Sequence, residues 1–99
     1  MTDVRVPQGP VRVDPARTEW RQVGDEVVIL SVETARYLAL NRSGSVLWPS
    51  LVEGTDMAAL IARLRDTYGL EEGDAARDVA VFVDALRRLD VIEEVPPRS

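Results

Sequence analysis

Five of the six aspartates in the second half of the chain, Asp66, Asp74, Asp78, Asp84 and Asp90, are the side chains whose type suggests chemistry, because carboxylates hold metal ions and move protons. Their spacing argues against both uses. They are scattered through helical sequence and lack the alternating loop spacing that wraps a calcium ion. The chain has no His, which removes the commonest metal ligand and the commonest general base at neutral pH. It has no Cys, so disulfides, thiol nucleophiles and thiolate metal sites are excluded. Neither a P-loop nor a G-x-S-x-G elbow occurs, and an enzyme would need a carboxylate or Ser mechanism with no recognisable arrangement. The aspartates read as a solvated acidic surface, and the expectation is no catalysis, no metal and no cofactor.

The chemistry that the spacing does support belongs to the backbone. Arg36-Tyr37-Leu38-Ala39-Leu40 reads as a short strand that breaks at Asn41-Arg42-Ser43-Gly44 and passes directly into a helix carrying Trp48. Alternation puts Leu38 and Leu40 on one face, toward the core, and Tyr37 and Ala39 on the other. In a simple meander this strand is an edge whose N–H and C=O groups lack partners. A second peptide can add to such an edge, with backbone hydrogen bonds giving affinity and side-chain pockets giving specificity. On the last helix, Val79, Phe82, Val83 and Leu86 form a continuous apolar face, which is also what a core stripe looks like. Its flanks carry Ala76, Ala80, Val83 and Arg87 on one side and Asp78, Val81 and Ala85 on the other. Either flank can face the strand. The candidate peptide-binding set is Arg36, Tyr37, Leu38, Ala39, Ala76, Val79, Ala80, Phe82, Val83, Leu86 and Arg87.

The elements that must position these residues follow from periodicity. Glu19 to Val23 is a first strand, Gly24-Asp25 a turn, and Glu26 to Val32 a β-branched strand apolar on both faces that belongs in the middle of a sheet. Arg36 to Leu40 is the third strand. Ser43 is a candidate cap for a helix to about Val52, with Val46, Leu47 and Leu51 inward and Pro49 shortening or bending it. Gly54 ends that helix and Thr55 caps the next, whose buried face is Leu60, Ile61, Leu64 and Tyr68, with Gly69 as its stop. Asp74 caps the longest helix, Ala75 to about Leu89, and Val91-Ile92 closes the domain as an extended segment. Trp20 and Trp48 are expected in the core, and Asn41 at the strand-to-helix turn. Residues 1–17, with three prolines, read as a flexible arm in which Val11 and Val13 alternate as a sheet edge would. Residues 18–94 form the domain and 95–99 a tail.

The 99 residues suit one domain. A net charge of -5 disfavours nucleic acid, whose phosphates call for a basic footprint. All 12 basic residues are Arg, as a GC-rich coding bias would produce. Met1 to Pro15 lacks an apolar run of signal-peptide length and no segment approaches the ~20 apolar residues of a membrane span. These features predict a cytoplasmic protein.

Several stretches occur in a family-like order: Trp20, then a Val/Leu strand, Tyr37-Leu38-Ala39-Leu40-Asn41, Ser43-Gly44, a helical Trp48, Tyr68-Gly69-Leu70, and a last helix with Asp78-Val79 and Phe82. In this order and spacing the chain resembles the PqqD-like family, the leader-peptide-binding domains called RiPP recognition elements, over roughly Arg17 to Glu93. It departs from the family at Ala35 and Asp90, where members often carry Gly, and at Pro49. The resemblance implies an α+β, winged-helix-like fold with a three-stranded antiparallel sheet followed by three helices. It implies a non-catalytic adaptor that binds the leader of a ribosomally made precursor peptide as an added strand, in a groove between the third strand and the third helix. The implied partners are the precursor peptide and a leader peptidase or other maturation enzyme. The Lys-free composition and the Arg-Tyr-Leu-Ala-Leu-Asn strand favour a lasso-type peptidase and cyclase. The alternatives are a quinone-cofactor precursor chaperone working with a radical enzyme, and a winged-helix DNA-binding regulator.

Overall fold

The computed structural model describes residues 7–95. The order is β1 (Val11–Val13), β2 (Thr18–Val23), β3 (Glu26–Ser31), β4 (Tyr37–Leu40), α1 (Arg42–Glu53), α2 (Met57–Tyr68), α3 (Glu72–Leu89) and β5 (Ile92–Glu94). The expected third strand is thus β4. Strands β2, β3 and β4 form an antiparallel sheet in that order, and three helices follow it. This is the α+β arrangement that the residue pattern predicts.

Strand β3 lies in the middle, as its β-branched composition requires, with Ile29 paired to Trp20 on one side and Leu38 on the other. Its burial differs from the expectation. Val27 and Ile29 are buried against the helices, whereas Val28 and Leu30 are only half-buried. The core lies on one face of the sheet, so the outer residues share their face with Val23, Tyr37 and Ala39. An apolar run on both faces marks a central strand, but it does not guarantee a second covering layer.

Segment 1–17 also departs from the expected flexible arm. Val11 is fully buried, Val13 nearly so, and β1 pairs with β5 in a separate two-stranded ribbon. On its other side Val11 exchanges backbone hydrogen bonds with Thr55, at 2.7 and 2.9 Å. Three residues suffice because both sides of the strand are paired and both valines face the core. The rest of the expected arm, residues 1–6, and tail residues 96–99 fall outside the described residues.

The helix boundaries follow short side chains, displaced from the expected ones. Asn41 rather than Ser43 caps α1, accepting from the Gly44 N–H at 2.9 Å, and the Ser43 hydroxyl donates to the same oxygen. Asp56 rather than Thr55 caps α2 through the Ala59 N–H. Helix α3 begins at Glu72, so Asp74 lies in its first turn, where a carboxylate complements the helix dipole. Helix α1 continues through Pro49 for 12 residues instead of stopping short. Trp48, Leu51, Leu60, Leu64, Val79, Val83 and Leu86 meet in the core.

The two tryptophans part company. Trp48 is fully buried, with its indole N–H lacking a hydrogen-bond partner among the described residues, while Trp20 is 45% exposed and covers it edge-on at 5.8 Å between ring centroids. Tyr68, expected with Leu60 and Leu64, is instead exposed at the end of α2.

Arg17 ties the chain ends together. Its guanidinium bonds Asp14 at 2.7 Å and Asp90 at 2.8 Å and lies 4.0 Å from Glu33. The Asp14 carboxyl is held below the ordinary carboxylate range, first by the Arg17 side chain and then by the Ala16 N–H, against a smaller opposing effect of burial. Asp90 adopts a left-handed backbone at φ 66°, and so does Ala35 at φ 58°. These are the two positions at which the resemblance leads one to expect Gly. The physical reason is now visible: a Cβ is costly in that conformation.

Candidate peptide-binding edge and groove

Among the described residues strand β4 pairs with β3 on one side alone, so its other side is an edge. Which residues serve that edge follows from the ladder. The Ser31 N–H donates to the Arg36 carbonyl at 2.8 Å, making 31/36 a hydrogen-bonded pair. Pairs alternate in antiparallel sheets, and the register Leu30↔Tyr37, Ile29↔Leu38, Val28↔Ala39 then makes 29/38 hydrogen-bonded and 30/37 and 28/39 not. Leu38 therefore spends its backbone groups on β3, as does the Arg36 carbonyl, while the Arg36 N–H donates to Thr34 Oγ1 at 3.4 Å. Tyr37 and Ala39 turn theirs outward, where a further strand finds two N–H donors and two C=O acceptors.

The end of the strand is stitched shut. The Val27 N–H donates to Ser45 Oγ at 3.1 Å, and the Ser45 hydroxyl reaches the Leu40 carbonyl at 3.5 Å. A residue one turn into α1 thereby holds β3, β4 and the helix together. Gly44 makes a second close junction. A Cβ there would lie 3.1 Å from Phe82 Cε1 and 3.3 Å from the Leu40 Cβ. The missing side chain lets Phe82 of α3 settle against the β4–α1 corner.

That contact decides which flank of α3 meets the sheet. Phe82 is half-buried and packed on the core, and Asp78, one turn earlier, borders the same corner. Ala85 continues this stripe at i+3 from Phe82. Val79, Val83 and Leu86 are wholly buried and serve as core. Ala76 and Ala80 are half-buried on the opposite flank, with Arg87 beyond them beside β5, where it borders a cavity with Asp90, Ile92, Glu93 and Glu94. Of the expected set, β4 carries Leu38, the outward backbone of Tyr37 and Ala39, and Arg36 at its head, while Phe82 reaches the corner where β4 meets α1. The fold does not bring Ala76, Ala80 or Arg87 to β4. Periodicity identifies a stripe but not the hand in which its flanks meet the sheet.

Past the end of β4 the surface opens into a cavity of about 540 Å³ lined by Asn41, Arg42, Ser43, Leu64, Tyr68, Leu70 and Asp78. The sequence reading missed its α2 residues. Tyr68-Gly69-Leu70 was the available signal, since an aromatic at a helix stop turns out of the core. Among the described residues neither Arg36 nor Asp78 has an ion-pair partner. The edge thus carries an unpaired cation at its start and an unpaired carboxylate beyond its end. Among the described residues no group of three or more acidic side chains is placed to hold a metal ion. No helix there is long and apolar enough to cross a membrane.

Residues 26–92, more than half of the chain, match the family model described as coenzyme PQQ synthesis protein D (PqqD). No curated protein matches the sequence. Two solved structures share the fold. "TbiB1 in Complex with the TbiA(beta) Leader Peptide" superposes with a TM-score of 0.77 at 24% identity, over 87% of this chain and 99% of that one. "Lasso peptide synthetase B1 complexed with the leader peptide" gives 0.71 at 26% identity, over 87% and 98%.

Proposed function

Because the chain belongs to the PqqD family, we propose that it is a non-catalytic adaptor that binds the leader of a ribosomally synthesised precursor peptide as a strand on β4. The observation that carries this reading is the outward-turned backbone of Tyr37 and Ala39, on a strand whose end Phe82 reaches at the β4–α1 corner. Backbone pairing holds the leader in register, and half-buried apolar side chains such as Leu38 and Phe82 select its apolar ones. Arg36 and Asp78, at opposite ends, favour a leader with complementary charges along its length. Its similarity to two proteins solved with leader peptides supports the same reading. The bound leader is presented to maturation enzymes in the cytoplasm, with a leader peptidase and cyclase of lasso type favoured. A quinone-cofactor precursor working with a radical enzyme is the second reading, favoured by the description of the matching family.

The test is fluorescence anisotropy with labelled synthetic leaders encoded near this gene. A preformed edge needs little reorganisation, so the cognate leader binds with Kd below roughly 10 µM. No binding at roughly a hundred times that concentration refutes the adaptor reading. Comparing leaders of the lasso and quinone-cofactor classes decides between the two pathways.

A further inference from the structure

We propose that the other edge of the sheet, β2, pairs with β2 of a second copy of this chain in a two-fold antiparallel dimer centred on Trp20. The inference is independent of peptide binding at β4.

The ladder again sets the geometry. The Val32 N–H donates to the Arg17 carbonyl at 2.9 Å. With the register Glu19↔Leu30, Trp20↔Ile29, Arg21↔Val28, alternation then gives the backbone groups of Glu19 and Arg21 to β3. Those of Trp20 and Gln22 point outward. A two-fold axis at Trp20 makes Trp20 with its twin a hydrogen-bonded pair, which is the outward type.

The same axis sets Glu19 opposite Arg21 of the second copy, and Arg21 opposite its Glu19. Strand alternation places both side chains on the outer face, where cross-strand neighbours of opposite charge attract. Both are exposed, and neither has an ion-pair partner among the described residues. A lone charge on an edge strand normally keeps other strands away. Glu19-Trp20-Arg21 is instead self-complementary when read antiparallel. Apolar surface lies alongside it: Trp20 is 45% and Val23 57% exposed. A cavity of about 670 Å³ runs over this strand and the outer residues of β3. Pairing would make one continuous six-stranded sheet with β4 outermost at both ends. Both β4 edges would stay open. Strand β4 has no such charge pair in its Tyr-Leu-Ala-Leu sequence, so β2 is the edge suited to self-association.

Sedimentation equilibrium of the full chain at 0.15 M salt tests this. The native protein should reach twice its 11.0 kDa chain mass. Glu19→Arg and Arg21→Glu each turn both cross-strand pairs from attractive to repulsive, and each should weaken association about tenfold or more. An equimolar mixture of the two variants restores both pairs and should re-form the dimer, as should the double variant. Circular dichroism checks that the variants are folded, which exposure of both side chains favours. A native chain that stays monomeric to about 1 mM overturns the proposal. So does a dimer indifferent to the charge reversals, or one that a β4-binding peptide dissociates.

Discussion

Replacing Ala39 with Pro should cripple peptide binding while leaving the fold intact, and replacing Leu38 with Pro should do the opposite first. The two residues are neighbours in β4, yet their N–H groups point to opposite sides. Ala39→Pro removes a donor that faces the open edge, a position where sheets tolerate proline. The bound peptide loses one hydrogen bond, worth about 0.5–1.5 kcal/mol net, and its carbonyl is left unsatisfied in a partly dry groove for about 1–3 kcal/mol. Together these come to about 1.5–4.5 kcal/mol, so the leader should bind roughly 10- to 2000-fold more weakly. Leu38→Pro removes a donor to Ile29, a wholly buried residue of the central strand. The same 1–3 kcal/mol then comes out of a folding free energy of about 5–15 kcal/mol. Anisotropy with a labelled leader and thermal unfolding followed by circular dichroism separate the two effects. If the Ala39 variant binds within twofold of the native chain, or melts no higher than the Leu38 variant, the derived alternation of the ladder is wrong.

Three further outcomes follow from particular residues. Ala35→Gly should raise stability by about 0.5–1 kcal/mol, since φ 58° costs an alanine roughly 1–2 kcal/mol and glycine returns part of that as chain entropy; chemical denaturation reads it. Gly44→Val should displace Phe82, lowering the melting temperature and weakening leader binding together, because even the first added carbon sits 3.1 Å from the ring. Asp14→Asn should flatten the acid limb of a stability-against-pH profile. The Asp14 pKa is depressed by Arg17 and the Ala16 N–H, so its contribution is complete above the unfolded carboxylate value and is lost as pH falls through the folded one.

The element order, the central place of β3 and the helix stripes were legible in the sequence because they depend on local periodicity. The free β4 edge was legible too, with Leu38 and Leu40 separated from Tyr37 and Ala39. Capping was legible as a choice among neighbouring short polar residues, but which of Asn41 and Ser43, or of Asp56 and Thr55, makes the bond depends on backbone angles that composition leaves open. Trp20 looked like core because it is large and apolar, and it proved to be a half-exposed cover for Trp48. A strand's alternation says which face a residue takes, while its place at the sheet margin sets how much of it is covered. β1 escaped notice as a core element because three residues carry almost no periodic signal. Its partners lie at Ile92–Glu94 and Thr55, far along the chain.

By itself, then, the amino-acid sequence determined which residues prefer strand or helix, which faces are apolar, and that catalysis by His or Cys is impossible. Those properties rest on side-chain chemistry and on short-range repeats of two and 3.6 residues. Tertiary structure decided which flank of α3 meets the sheet, through one contact between Phe82 and the space that Gly44 leaves. It also decided which backbone groups of β2 and β4 remain unspent, because the direction of each N–H is set by the register with β3 and not by the residue that bears it.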